Sequence, residues 1–453
     1  MTTAARLAEF VLKTTLADCP EPVLVQVRRA ALDTVGCMLA GASEPVARIV
    51  REIARAEGAT SLCTVVGTSL RTSPTWAALA NGAAGHAHDF DDTNFALLGH
   101  PSVPLLATAL AAGEAEMADG ATVALAYVIG FEVDAALGHA LNPEHYTRDW
   151  HATASIGTLG CAAAAARILG LDAGQSRHAV GIAASLASGL KENFGSMTKP
   201  YHAGHAARNG VLAAQLAREG MTASASALDG RQGHAAAFSG AELPADVFDR
   251  LGQRWEIVTS GIAVKPYPSC ALTHSAIDTL AGLRAAHRLT PEQIARVEVR
   301  VNRVVPDVLR HDRPTLSLER KFSMPYCAAV ALARGGVDLG HFGDGPVGDD
   351  VRALMERVTM LVDPTMPEAL DRHAWSRVTV TLTDGQVLAP PMSGARGHPD
   401  DPLDANALRE KFVACAAPVL SPDEASAIAD QIDHLEDIPD IRALTSRLAG
   451  EKE

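Results

Sequence analysis

Aromatic side chains are scarce in this 453-residue chain, only 4% of the total, although hydrophobic residues make up 47%. Its interior must therefore be filled mainly by Ala, Leu and Val, and small side chains with high helix propensity favour closely packed helices. Cysteine is thin and poorly spaced for cross-links. Cys19, Cys37, Cys63, Cys161, Cys270, Cys327 and Cys415 contain no Cys-x-x-Cys pair, and the odd number argues against a disulfide framework or an iron–sulfur cluster. Reduced thiols point to a cytoplasmic setting. Basic residues are also in deficit, 39 against 53 acidic, and no Lys/Arg run offsets the net charge of −14. That balance disfavours nucleic acid and anionic membranes as partners. The longest apolar run, 121–139, is broken by Glu132 and Asp134, so no membrane span is expected. The N-terminal segment reads as an amphipathic helix and not as a signal peptide.

What the sequence does have is helical punctuation. Pro22 opens a helix to about Ala40, in which Val23, Val27, Ala31, Val35 and Leu39 recur at four-residue spacing. Further helices are expected over 44–57, 73–88, 101–116, 120–140, 152–169, 173–190 and 203–219, several opened by Ser, Thr, Asp or Pro and closed by Gly. After about position 262 the pattern changes. Val297, Val299 and Val301 alternate with charged residues, as in a half-exposed strand, Thr359–Val362 is a second strand, and RVTVTLTDGQVL reads as a hairpin about Asp384-Gly385. Helices over 270–287, 321–334 and 349–357 lie between, and 403–416, 422–435 and 438–448 follow. The expected fold is mainly α: a large all-helical domain over 1–262, completed by 395–453, plus a smaller α+β domain over 263–394.

Four segments concentrate polar groups where a helical core has no need of them. The first runs Gly85-His86-Ala87-His88-Asp89-Phe90-Asp91-Asp92-Thr93, with His100-Pro101-Ser102 following. Carboxylates this close repel one another unless cations, donors or solvent hold them. The second is Tyr146 to Gly157, where His151 precedes an Ala-rich helix whose free N–H groups disfavour imidazolium. The third, Gly195 to Gly204, carries Lys199 before Pro200, which predicts an extended backbone presenting an ammonium, and His202 beyond it. The fourth repeats that arrangement as Lys265-Pro266-Tyr267, followed by Cys270 and His274, at the expected domain junction, where clefts tend to form. Lys321 to Tyr326 adds a tyrosine near another Pro-marked helix start, and Arg396-Gly397-His398-Pro399 is a loop able to cap the cleft. A proton next to a carboxylate is weakly acidic, so its removal without metal needs a base plus fixed positive charge at that carboxylate. Two lysines, several histidines and a tyrosine meet that need. A metal-dependent hydrolase using His86, His88, Asp89 and Asp92 is a competing class, which leaves both lysines without a task.

These blocks, HAHDFDDT with HPS, WHATASIGTLG, GSMTKPYHAGHAARNGVLAAQLA, VKPYPSC and KFSMPYCAA, resemble the signature blocks of the MmgE/PrpD family and occur in the same order. The resemblance implies an all-helical domain with a smaller chorismate mutase-like one, a homodimer, no cofactor, no metal, and a small polycarboxylate substrate. It places the family's active-site residues on Asp89, Thr93, His100, His151, Lys199, Lys265 and Tyr326, so that His151, Lys199, Lys265, Tyr326 and His100 are expected to be catalytic and Asp89 and Thr93 to bind substrate. Beside them, Tyr146 is a candidate second base for an epimerase, and His202 and Cys270 are candidate substrate-binding residues. Decarboxylase-type members carry a histidine where this chain has Cys270, which counts against cis-aconitate decarboxylation. Dehydration is the commoner activity in that family, so the resemblance points to a 2-methylcitrate dehydratase-like hydro-lyase, with an iminodisuccinate-type epimerase as the nearest alternative.

Overall fold

The computed structural model describes residues 1–366, 375–392 and 394–450; Ser393, in the loop that carries Arg396 and His398, lies outside them. Punctuation in the sequence becomes helix boundaries. Pro22 sits in the first turn of Glu21–Gly41, and Pro45–Glu57 stops at Gly58 in the left-handed conformation. Pro74–Gly85, Ser102–Glu116, Gly120–Leu141, Gly157–Ile168 and Ala173–Leu186 follow. Their Ala, Val and Leu side chains form one large core, to which the Ala-rich stretch 161–166 contributes side chains with no exposure at all.

Two sequence expectations for this lobe change. The predicted helix over 152–169 is split at Ile156 into Ala152–Ser155 and Gly157–Ile168. The predicted extended segment at Lys199 is helical, because Thr198–Arg218 starts five residues earlier than its apolar pattern does. Pro200 falls in the first turn, where a missing N–H costs nothing because those donors have no helical partner.

The Thr198–Arg218 helix packs against Pro74–Gly85 at unusually close range. A Cβ on Gly204 would lie 2.1 Å from Leu79 O, and one on Gly82 would lie 2.6 Å from Gly204 Cα. Two facing glycines therefore set the distance between the helices that carry His86 and Lys199.

Gly120–Leu141 is the one described helix long and apolar enough to cross a membrane, yet 89% of its apolar window is buried inside the protein. Its Glu132 accepts the backbone N–H groups of Glu256 and Ile257, both at 2.9 Å.

The smaller lobe holds a four-stranded sheet. Numbering strands from the short pair β1 (Cys63–Thr64) and β2 (Arg71–Thr72) of the large lobe, it comprises β3 (Ile294–Val301), β4 (Val358–Val362), β5 (Arg377–Leu382) and β6 (Val387–Leu388) in the order β4-β3-β5-β6. β3 pairs in parallel with β4 and antiparallel with β5. Val297, Val299 and Val301 on β3, with Val378 and Val380 on β5, face a second core built with helices His274–His287 and Met324–Arg334. The fold is thus mainly α with a smaller α+β lobe. After residue 402 the chain returns to the large core: Leu408, Phe412, Ile428, Ile432, Ile441 and Leu448 all pack there. In place of the expected helix over 438–448 there are only short turns, Arg442–Thr445 and Ser446–Leu448.

Candidate active site

The Pro74–Gly85 helix stops at His86, and the chain beyond it forms a buried loop in which Asp89 takes φ 52. That left-handed conformation is costly for a residue with a side chain, so the surroundings must over-determine it. Three consecutive carbonyls each accept from a buried lysine: His88 O from Lys321 (2.8 Å), Asp89 O from Lys265 (2.8 Å) and Phe90 O from Lys411 (2.7 Å). Lys265 and Lys321 reach in at the smaller lobe, and Lys411 comes from the Ala405–Ala416 helix. Burial lowers Lys321 to about 7, although the charges of Asp89 and Glu44 act in the opposite direction.

The crowded carboxylates are each satisfied differently. Asp89 lies 2.6 Å from Lys199 Nζ and 3.1 Å from Lys265 Nζ. Burial opposes its charge, but the two ammonium groups win and hold it well below the usual carboxylate range. Asp91 meets His86 Nδ1 at 2.8 and 2.9 Å and lies 3.2 Å from His100 Nδ1. It too stays ionised against its burial, here through imidazole partners. Asp92 accepts from the Ser102 hydroxyl, but burial, with Asp33 nearby, pushes it up to about 8, so it keeps its proton at neutral pH.

His151 is the N-cap of Ala152–Ser155; its backbone N–H donates to Gly189 O at 3.0 Å and its Nδ1 lies 3.1 Å from His202 Nδ1. Burial and then the charge of Lys199 hold His151 well below the ordinary imidazole value, and burial lowers His100 too. Both rings are neutral at neutral pH. Lys199 Nζ sits 2.8 Å from His86 Nε2.

One cavity gathers Asp89, Thr93, His100, Tyr146, His151, Lys199, Lys265 and Cys270 between the lobes, with Phe95, Leu98, Phe194, Leu272, Val308 and Phe322 as apolar walls. Thr93 Oγ1 is buried there with no hydrogen-bond partner among the described residues. Burial raises the Cys270 thiol to about 11, so it stays protonated and unreactive.

Two residues chosen from the sequence do not line the cavity. Tyr326 points into the smaller core, where its hydroxyl donates to His341 O and its ring packs near Phe342. Ser323 caps the Met324–Arg334 helix and rotates Tyr326 away, so the cavity receives Phe322 instead. His202 stands behind His151 as its ring partner and not against the cavity. His274 is buried and its Nε2 meets Ser269 O at 3.1 Å. His398 packs on Phe95 at a ring separation of 5.2 Å, in an outer chamber shared with Tyr146. The sequence reading missed the supports Asp91 and Lys321 and the wall residues Phe194 and Phe322. The packed carboxylates did signal that partners were required.

His86, Asp89, Asp91 and His100 bring ligand atoms within 4.8 Å of one another, a grouping that could hold a metal ion. Two lysine ammonium groups already occupy its approach and neutralise Asp89, and a divalent cation there would face both. Dialysis against EDTA is therefore expected to leave turnover unchanged, whereas loss of activity restored by zinc or magnesium would contradict the fit.

Matches to known proteins agree with this arrangement. The MmgE/PrpD N-terminal domain model matches residues 5–245 and the C-terminal domain model matches 267–437. The chain belongs to the MmgE/PrpD family. Curated MmgE/PrpD-type relatives include cis-aconitate decarboxylase of Mus musculus, 31% identical across 94% of this chain and 89% of the relative. Cis-aconitate decarboxylase of Homo sapiens is also 31% identical, across 94% and 90%. That of Aspergillus terreus is 26% identical across 95% and 92%. The MmgE/PrpD assignment thus covers both lobes that form the cavity.

Proposed function

We propose that this chain is a lyase acting on a small polycarboxylate at the carbon next to a carboxylate, and more closely a hydro-lyase of 2-methylcitrate type. The observation that carries this reading is the presentation of Lys199 and Lys265, from different lobes, to the cavity that also holds neutral His151. Both ammonium groups bind the substrate carboxylate and stabilise the enediolate formed when the adjacent proton leaves. His151 Nε2 takes that proton, since Nδ1 is engaged by His202. The C–O bond to the neighbouring hydroxyl breaks as the double bond forms, and Tyr146, whose proton is held firmly by burial, protonates the departing oxygen to give water. Thr93 Oγ1 donates to a carboxylate oxygen.

Decarboxylation is the second reading, favoured by the names of the curated relatives. The same lysines would hold the carboxylates while the C–C bond to one of them breaks, CO2 leaves, and the electron pair left on carbon takes a proton from an acid of the site. Cys270 weighs against it, because a protonated thiol stands where decarboxylase-type members resemble one another in having an imidazole. Cys270→His is expected to raise CO2 release from cis-aconitate about tenfold or more; an unchanged rate, measured by proton NMR, would remove Cys270 from the argument.

The test is a screen of purified protein with 2-methylcitrate, citrate, cis-aconitate and iminodisuccinate in D₂O. Growth of alkene absorbance from a hydroxy acid supports the hydro-lyase. CO2 loss supports the second reading, and deuterium incorporation with inversion identifies an epimerase. Inertness towards all four sinks the proposal.

A further inference from the structure

Behind the cavity wall lie two buried groups that the proposed chemistry does not use directly, Asp91 and His86, which form a relay ending on Lys199. Asp91 is fully buried and both of its oxygens face His86 Nδ1, at 2.8 and 2.9 Å. An ionised carboxylate only accepts hydrogen bonds, so His86 must carry its proton on Nδ1. Its Nε2 is then a lone pair, and it faces Lys199 Nζ at 2.8 Å. The ammonium donates one N–H to that lone pair and a second to Asp89 Oδ1 at 2.6 Å. Its third N–H remains for the cavity that Lys199 lines.

We propose that Asp91 and His86 are positioning residues: Asp91 fixes the tautomer of His86, and His86 in turn aims Lys199 at the substrate carboxylate. The other imidazole beside Asp91, that of His100, lies farther off at 3.2 Å from one oxygen, whereas His86 Nδ1 makes the shorter contacts to both oxygens. The ring also has little freedom to turn, being buried with His100 edge-on at 4.4 Å and His151 stacked at 5.9 Å. An oriented imidazole whose second nitrogen meets the working group is a general way to fix the protonation and direction of that group. This inference deepens the proposed function and rests on Lys199 binding a carboxylate there.

Asp91→Asn tests it. The amide keeps the size of the side chain but places a donor within reach of Nδ1, so His86 is driven to the opposite tautomer and presents N–H to an ammonium. In serine proteases the corresponding Asp→Asn change costs roughly 10⁴ in kcat through the wrong tautomer; a loss of about 10²- to 10³-fold is expected here, where the histidine acts through a lysine. Nitrogen-15 NMR of histidine-labelled protein, with His86 assigned by the signals missing from His86→Gln, reads the tautomer without substrate. The wild type must show protonated Nδ1 and bare Nε2, and Asp91→Asn must invert them. His86→Gln retains an acceptor towards Lys199 that needs no aspartate. Adding Asp91→Asn to His86→Gln should therefore cost less than threefold.

A wild-type His86 protonated on Nε2 overturns the proposal, and that result needs no variant to fold. So does an Asp91→Asn penalty of equal size in both backgrounds, since the carboxylate would then act independently of His86. Inverted ring signals alongside a fully active Lys199→Ala would keep the tautomer relay but refute the carboxylate-binding role of Lys199, which separates the two failures.

Discussion

Lys199→Ala and Lys265→Ala should each lower kcat by about two to three orders of magnitude, the loss typical when one preorganised donor to a developing anion is removed. Each ammonium has two roles in the site. It lies against Asp89, at 2.6 Å for Lys199 and 3.1 Å for Lys265, and it faces the cavity. Removing one partner of a buried ion pair commonly costs about 3–5 kcal/mol, because the other charge is left without compensation. Here the remaining lysine still touches Asp89, so the stability loss should fall at or below the low end of that range. The catalytic loss has no such backup, because two cations at fixed positions define where the substrate carboxylate sits. Steady-state kinetics on protein checked by thermal melting separates the effects, and turnover within a few-fold of wild type in both variants would eliminate the clamp.

The largest structural effect is expected from Gly204→Val. Even the first side-chain carbon would lie 2.1 Å from Leu79 O and 2.9 Å from Ala83 N, backbone atoms of a packed helix that cannot fold aside. Overpacking usually costs about 1–3 kcal/mol, and a clash with rigid backbone belongs at or above the top of that range. Against a total stability of about 5–15 kcal/mol, that is a large fraction of the folded margin. The Thr198–Arg218 and Pro74–Gly85 helices would also separate, and with them Lys199 and His86, so surviving protein should turn over slowly. A melting temperature within two or three degrees of wild type would show that the helices have room to spare.

How far the sequence reveals this architecture depends on what each feature requires. Helices marked by Pro at their starts and Gly at their ends were readable because those residues act through their own backbone. The polar blocks were readable as chemical because three acids in four positions cannot persist without partners. Direction was harder to read. Nothing local shows that Tyr326 turns into the smaller core while Phe322 enters the cavity, since the cap made by Ser323 sets that rotation. Pro200 suggested an extended Lys199 because the preference of a residue before proline is local, whereas the helix is held by its packing on Pro74–Gly85. Lys321 was missed because its carbonyl partner at His88 lies 233 positions away, and Asp91 because sequence alone does not rank it above Asp89 and Asp92, although its partner His86 is only 5 positions off.

The row of lysines on carbonyls 88 to 90 also bears on how the protein is made in a cell. The loop emerges from the ribosome early, but its fasteners arrive in turn: Lys265, then Lys321, and finally Lys411, whose ammonium also pairs with buried Asp33. Until residues 408–412 are synthesised, the nascent large lobe lacks Leu408 and Phe412 from its core and Asp33 lacks the Lys411 ammonium. The large core must therefore wait for residues 408–412, and that interval is the one in which chaperone capture would matter most.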